Sequence, residues 1–104
     1  MIPTEAKTMQ EYAVACKYFP NRVRYLHVKR QLDPQLDEFM TKKYKFSKRV
    51  KGEILVLVNH RCYDNIKLYD SKTSDFLTWA LTICRNECEM KDRTIMVKLK
   101  NSLN

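Results

Sequence analysis

A single glycine, Gly52, has to serve all 104 residues of this chain, and only three prolines accompany it. Loops that cradle phosphate need several glycines, because only a backbone free of side chains brings consecutive N–H groups up to the anion. The P-loop and dinucleotide-binding classes are therefore excluded. Long hydrophobic runs are missing as well: nothing approaches the roughly 18 apolar residues of a membrane span. At 44% hydrophobic, the chain still has enough apolar residues for one folded domain. Its four cysteines, Cys16, Cys62, Cys84 and Cys88, are too sparse and unpatterned for a disulfide scaffold. Reduced thiols in an intracellular compartment are the expectation. The opening stretch MIPTEAKTMQEY holds Glu5 and Glu11 and no arginine, so it does not read as a cleavable leader.

Acidic residues are also scarce. Twenty Lys and Arg face 12 Asp and Glu, a net charge of +8, which favours polyanionic partners. The distribution sharpens this. Between Arg22 and Lys51 lie ten of the twenty bases and three acids, and from Phe39 to Gly52 there are no acids. In KKYKFSKRVK, residues 42–51, six of ten positions are basic and Tyr44 and Phe46 interleave with them. Bases with interleaved aromatics suit phosphate contact with some base stacking. The candidate RNA-binding residues are Lys42, Lys43, Lys45, Phe46, Lys48, Arg49 and Lys51, joined by Arg22 and Arg24.

Thr8 and Glu11 form a capping box, and Met9, Tyr12, Ala13, Cys16 and Phe19 follow a helical stripe that Pro20 stops. This predicts a helix over about residues 8 to 19. NRVRYLHVKR reads as an interior strand, apolar on both faces. In LDPQLDEFMTKKY, Asp33 suits an N-cap, Pro34 the first helical position, and Asp37 and Glu38 the positive end of a helix dipole. Lys42, Lys43, Lys45, Lys48 and Arg49 then fall toward that helix's C-terminal end, where cations are favoured. EILVLV after Gly52 reads as a strand buried on both faces, NHRCYDN as a turn and IKLYD as a second strand. SKTSDFLTWALTICRNECEM predicts a last helix starting at Ser71 or Ser74, with Phe76 and Trp79 as core anchors, and TIMVKLK an edge strand or tail. The expected architecture is a single α/β domain in α-β-α-β-β-α order, a sandwich with a central mixed sheet. Its parts are an N-terminal helix (1–20), an α/β core (22–90) and a C-terminal tail (91–104).

No chemical centre emerges. Cys84 and Cys88 lie four apart and could ligate a metal with His27 or His60, but a Cys-x-x-Cys spacing and a second pair are missing. His60-Arg61-Cys62 pairs a nucleophile with a base, yet nothing supplies an orienting group or an oxyanion donor. No catalytic residue, metal, cofactor or small-molecule substrate is expected.

The stretch VRYLHVKRQLDPQLDEFMTKKY, followed by EILVLV and IKLYDSKTSDFLTWAL, resembles the small thioredoxin-like domain of certain mitochondrial ribosomal proteins. That domain also occurs in an accessory subunit of respiratory complex I. Phe39, Lys42, Lys43 and Tyr44 carry the helix part of the likeness, which covers roughly residues 22 to 85. Where redox members have Cys-x-x-Cys, this chain reads VKRQLDP, and the usual cis-proline before the third strand has no counterpart. The resemblance therefore implies a non-catalytic structural subunit, placed in a mitochondrial ribosome and contacting rRNA and neighbouring proteins. The expected location is the mitochondrion, otherwise the cytoplasm. In the complex I alternative the bases meet acidic protein. TMQEYAVACKYFPNRVRYL and KYKFS with GEILVLVNH are similar to the Alu-domain proteins of the signal recognition particle, which are α-β-β-β-α RNA binders.

Overall fold

In the computed structural model, which describes residues 8–102, every regular element is a helix. They are α1 (Met9–Tyr18), α2 (Arg22–Lys43), α3 (Lys48–Asp64), a short 3-10 turn (Ile66–Leu68) and α4 (Phe76–Ser102). The leader reading at residues 1–7 and the last two tail residues lie outside the described residues. The expected α/β sandwich, its central mixed sheet and its α-β-α-β-β-α order are overturned: no strand occurs among the described residues. The thioredoxin-like and α-β-β-β-α architectures implied by resemblance go with it.

The N-terminal helix is as its sequence predicts. Thr8 accepts from the Glu11 N–H, and the Glu11 carboxylate takes the Thr8 N–H in return. Ala13 and Cys16 face inward.

The next two expected elements, a strand and a helix starting at Asp33, are one helix. Tyr25, Val28, Leu32, Leu36 and Met40 are buried and recur every three or four residues, so a single apolar stripe runs straight past Pro34. Proline inside a helix lacks the N–H that would bond the carbonyl four residues back, here that of Arg30. Both residues are exposed, so water can take up that carbonyl. Asp33 does not cap anything. Its carboxylate receives Lys29 Nζ at 2.6 Å and Asn59 Nδ2 at 2.7 Å.

EILVLV lies within α3. Val50, Ile54, Val58 and Cys62 recur every four residues and pack inward, while Val56 and Leu57 stand out on the surface. A short apolar run does not by itself separate a buried strand from a helix segment. Gly52 sits inside α3 with open space where a Cβ would be. NHRCYDN forms the last turns of α3 and the cap at Asn65 rather than a turn between strands. IKLYD is the 3-10 turn followed by Tyr69.

Helix α4 begins after Asp75, whose carboxylate accepts from the Thr78 N–H at 2.9 Å. TIMVKLK continues it. At 27 residues α4 is about 40 Å long, and the molecule measures 65 × 24 × 21 Å. Residues 96 to 102 of α4 are all exposed.

The helices pack in sequence, α1 on α2, α2 on α3 and α3 on α4, with α4 closing against α1 and α2. Two polar clamps fix the arrangement. Gln10 donates to the Tyr69 hydroxyl at 2.8 Å and accepts from the Phe76 N–H at 2.7 Å, tying α1 to the start of α4. Between α2 and α3, the Tyr25 hydroxyl donates to Asn59 Oδ1 at 2.8 Å, and Asn59 Nδ2 donates to Asp33 and, at 2.8 Å, to the Leu55 carbonyl. Buried polar groups satisfied in this way hold the α2–α3 crossing in one geometry.

Candidate nucleic-acid interface

The cationic run spans the junction of α2 and α3. Tyr44 caps the end of α2, and the Ser47 hydroxyl caps α3 by accepting from the Val50 N–H at 3.2 Å. Lys42 and Lys43 therefore close α2, Lys45 sits in the link, and Lys48, Arg49 and Lys51 open α3. This placement changes their energetics. Cations at the end of α2 complement the negative pole of its dipole, whereas Lys48 and Arg49 stand at the positive pole of α3, whose first turn carries no acid.

Carboxylates from the same chain thread half of the patch. Lys42 pairs with Glu38 at 2.8 Å, Arg49 with Glu53 at 3.4 Å, and Lys51 with Asp37 at 3.3 Å. The Lys42 hydrogen bond holds the Glu38 carboxyl below the usual range, and Lys91 from α4, with Arg49, does the same for Glu53. Lys43, Lys45 and Lys48 are exposed and form no ion pair among the described residues. The six bases thus divide into a compensated trio and an uncompensated one.

The interleaved aromatics serve the junction. Tyr44 and Phe46 stack with centroids 5.0 Å apart and planes 3° apart, and Phe39 meets Tyr44 edge-on at 6.2 Å. All three are half-buried against the core. Phe46 therefore gives one ring face to Tyr44. Burial raises the Tyr44 phenol, with Cys88, Glu89 and Asp92 of α4 adding to the shift.

Arg22 and Arg24 are not brought to this patch. They lie in the first turn of α2, about 20 residues and so roughly 30 Å along the helix from Lys42. The Arg22 guanidinium lies 4.9 Å from the centre of the Tyr63 ring, and Arg24 donates to the Phe19 carbonyl.

The cysteines and histidines do not converge either. Cys84 and Cys88 are both buried with sulfurs 4.0 Å apart. No group of three metal-ligating side chains forms among the described residues. His27 stacks on Tyr12 at 4.6 Å, and His60 lies on the outer side of α3. Cys62, buried in α3, has its thiol pushed up to about 12 by desolvation, and burial raises Cys16, Cys84 and Cys88 too. Little reactive thiolate exists near neutral pH in such surroundings.

Two of the three compensating pairs, Glu38 with Lys42 and Arg49 with Glu53, follow the four-residue helical spacing and are legible in sequence. The Asp37–Lys51 pair joins two helices and leaves no local signal. No family model, curated protein or solved structure matches the chain.

Proposed function

We propose that this chain is a non-catalytic helical subunit of a ribonucleoprotein that docks on the phosphate backbone of RNA through Lys43, Lys45 and Lys48, with Arg49 beside them. The observation that carries this reading is the uncompensated cation at the positive pole of α3. A base in that position costs a helix about 0.3–1 kcal/mol, and Lys48 makes no ion pair among the described residues that would offset it. Folding gains nothing from the placement. A phosphate at the same point would meet the Lys48 ammonium and the first N–H groups of the helix, ahead of the Val50 N–H that Ser47 caps, with the exposed Lys43 and Lys45 close by in the chain. Because the aromatics are engaged with one another, contact is to the backbone and independent of base sequence. The mitochondrial ribosome and complex I assignments lean on a sheet-bearing resemblance, so charge alone supports the present reading.

Replacing Lys43, Lys45 and Lys48 together by Gln tests it. Each phosphate contact on a single strand contributes about 0.7 to the slope of log affinity against log salt. The triple variant should bind an RNA oligonucleotide more weakly, with a slope shallower by about 2. Replacing the compensated trio Lys42, Arg49 and Lys51 should do less. An unchanged slope in the first variant, or tighter binding of polyglutamate than of RNA, would hand the patch to an acidic protein surface.

A further inference from the structure

The far end of the α2–α3 pair carries a second surface that the phosphate reading does not use. An open groove of about 340 Å³ runs between the two helices there. Val23 and Leu26 from α2 and Val56 from α3 line it at 69%, 49% and 60% exposure, with Tyr63 at one end. These aliphatic side chains are held in water, on one continuous face, next to a satisfied core. Its floor is fixed by the Tyr25–Asn59–Asp33 hydrogen bonds. Asp33 lies behind that floor, bonded to Asn59 and Lys29, and no other carboxylate borders the groove among the described residues. Lys29, which pairs with Asp33, and Arg22, which forms no ion pair among the described residues, stand on its rim.

We propose that this groove binds an amphipathic helix of a partner protein, with aliphatic anchors at positions i, i+4 and i+7 and a carboxylate at the end that meets Arg22. Three observations point to that occupant. The groove-lining residues span 22 to 29 on α2 and 56 to 63 on α3. Seven residues of helix cover about 10 Å, which is the reach of an i to i+7 anchor set. Exposed aliphatics gathered into one patch are the mark of a docking surface. With Lys29 neutralised by Asp33, Arg22 makes its end of the rim cationic, which selects an acidic flank on the guest there. A second copy of this chain fits poorly, because its net charge is +8 and its exposed α4 end carries Arg93, Lys98 and Lys100.

The test uses the full chain and two synthetic helical peptides that share leucines at i, i+4 and i+7 and differ only in flanks of Glu or Lys. In a titration followed by backbone amide NMR, the Glu peptide should bind about tenfold tighter or better, with shifts centred on Val23, Leu26 and Val56. Val56→Glu, at an exposed position that leaves the core intact, should abolish binding. Arg22→Gln should erase the preference for Glu flanks. The triple Lys43, Lys45 and Lys48 variant should bind the peptide as the parent does, so failure here and failure of the RNA reading are separate events. Equal binding of the two peptides, shifts centred on residues 42 to 51, or an indifferent Val56→Glu variant each overturn the proposal. So does binding to phosphatidylglycerol vesicles, or a concentration-dependent dimer, if either is lost in Val56→Glu.

Discussion

Lys48→Glu separates what helps the fold from what helps binding. Lys48 is the first residue of α3, directly after the Ser47 cap, and the turn has no acid. Removing a cation from the positive pole recovers about 0.3–1 kcal/mol, and placing a carboxylate there adds a similar amount. Lys51, three residues on, then changes from a repelling neighbour to an attracting one, worth about 0.2–0.5 kcal/mol each way. Context makes such terms only partly additive, so the expected gain is about 1–2 kcal/mol at low salt. For a domain of this size each kcal/mol moves Tm by about 4–8 °C. Thermal unfolding followed by circular dichroism should show the rise, and it should shrink at about 1 M salt, where the screening length is near 3 Å. RNA affinity should fall in the same variant. A lower or unchanged Tm at low salt would refute the electrostatic account of the α3 start. A stabilised variant that keeps full RNA affinity would refute the assignment of Lys48 to phosphate contact.

Two further outcomes follow from the polar anchors. Asn59→Ala removes the acceptor of the Tyr25 hydroxyl and two donated bonds; the buried hydroxyl keeps only the Cys62 thiol, a weak partner, so the loss should reach about 2–3 kcal/mol. Tyr25→Phe alone should cost about 1 kcal/mol, and the double variant should fall short of the sum by about 1 kcal/mol or more in denaturant unfolding; strict additivity would mean that the two residues do not act together. On the acid side, hydrogen bonds from Thr78 hold the Asp75 carboxyl low, and Lys91 with Arg49 holds Glu53 low. Their folded values lie below the ordinary 3.8 and 4.5, so the stability they supply is complete above those values and is lost as pH falls through the folded ones. Asp75→Ser keeps a capping oxygen that does not titrate, so its Tm should decline less steeply on acidification than the parent's; parallel curves would remove Asp75 from the acid response.

Much of the helical fold stands in the sequence once the right period is followed. Tyr25, Val28, Leu32, Leu36 and Met40 form one stripe, as do Val50, Ile54, Val58 and Cys62. Two local signals pull against them. Asp33-Pro34 has the form of a helix start, and five apolar residues in a row, Ile54 to Val58, have the form of a buried strand; each is true of an isolated segment. Tertiary packing overrides both, since a continuous stripe buries its whole length against α1, α3 and α4 only if the helix does not break at Pro34. The position of the bases shows the same limit. Their density is plain from residues 42 to 51, but their sign relative to a dipole depends on where one helix stops and the next begins.

By itself the chain determined its net charge, the absence of phosphate-cradling loops, the capped first helix and the apolar stripes, because each follows from residue identity or from spacing within one element. Only the tertiary structure decided which bases stay uncompensated, that the thiols are buried, and that Val23, Leu26 and Val56 share an exposed groove. Those properties depend on distances between residues far apart in sequence, which are set when the helices pack against one another.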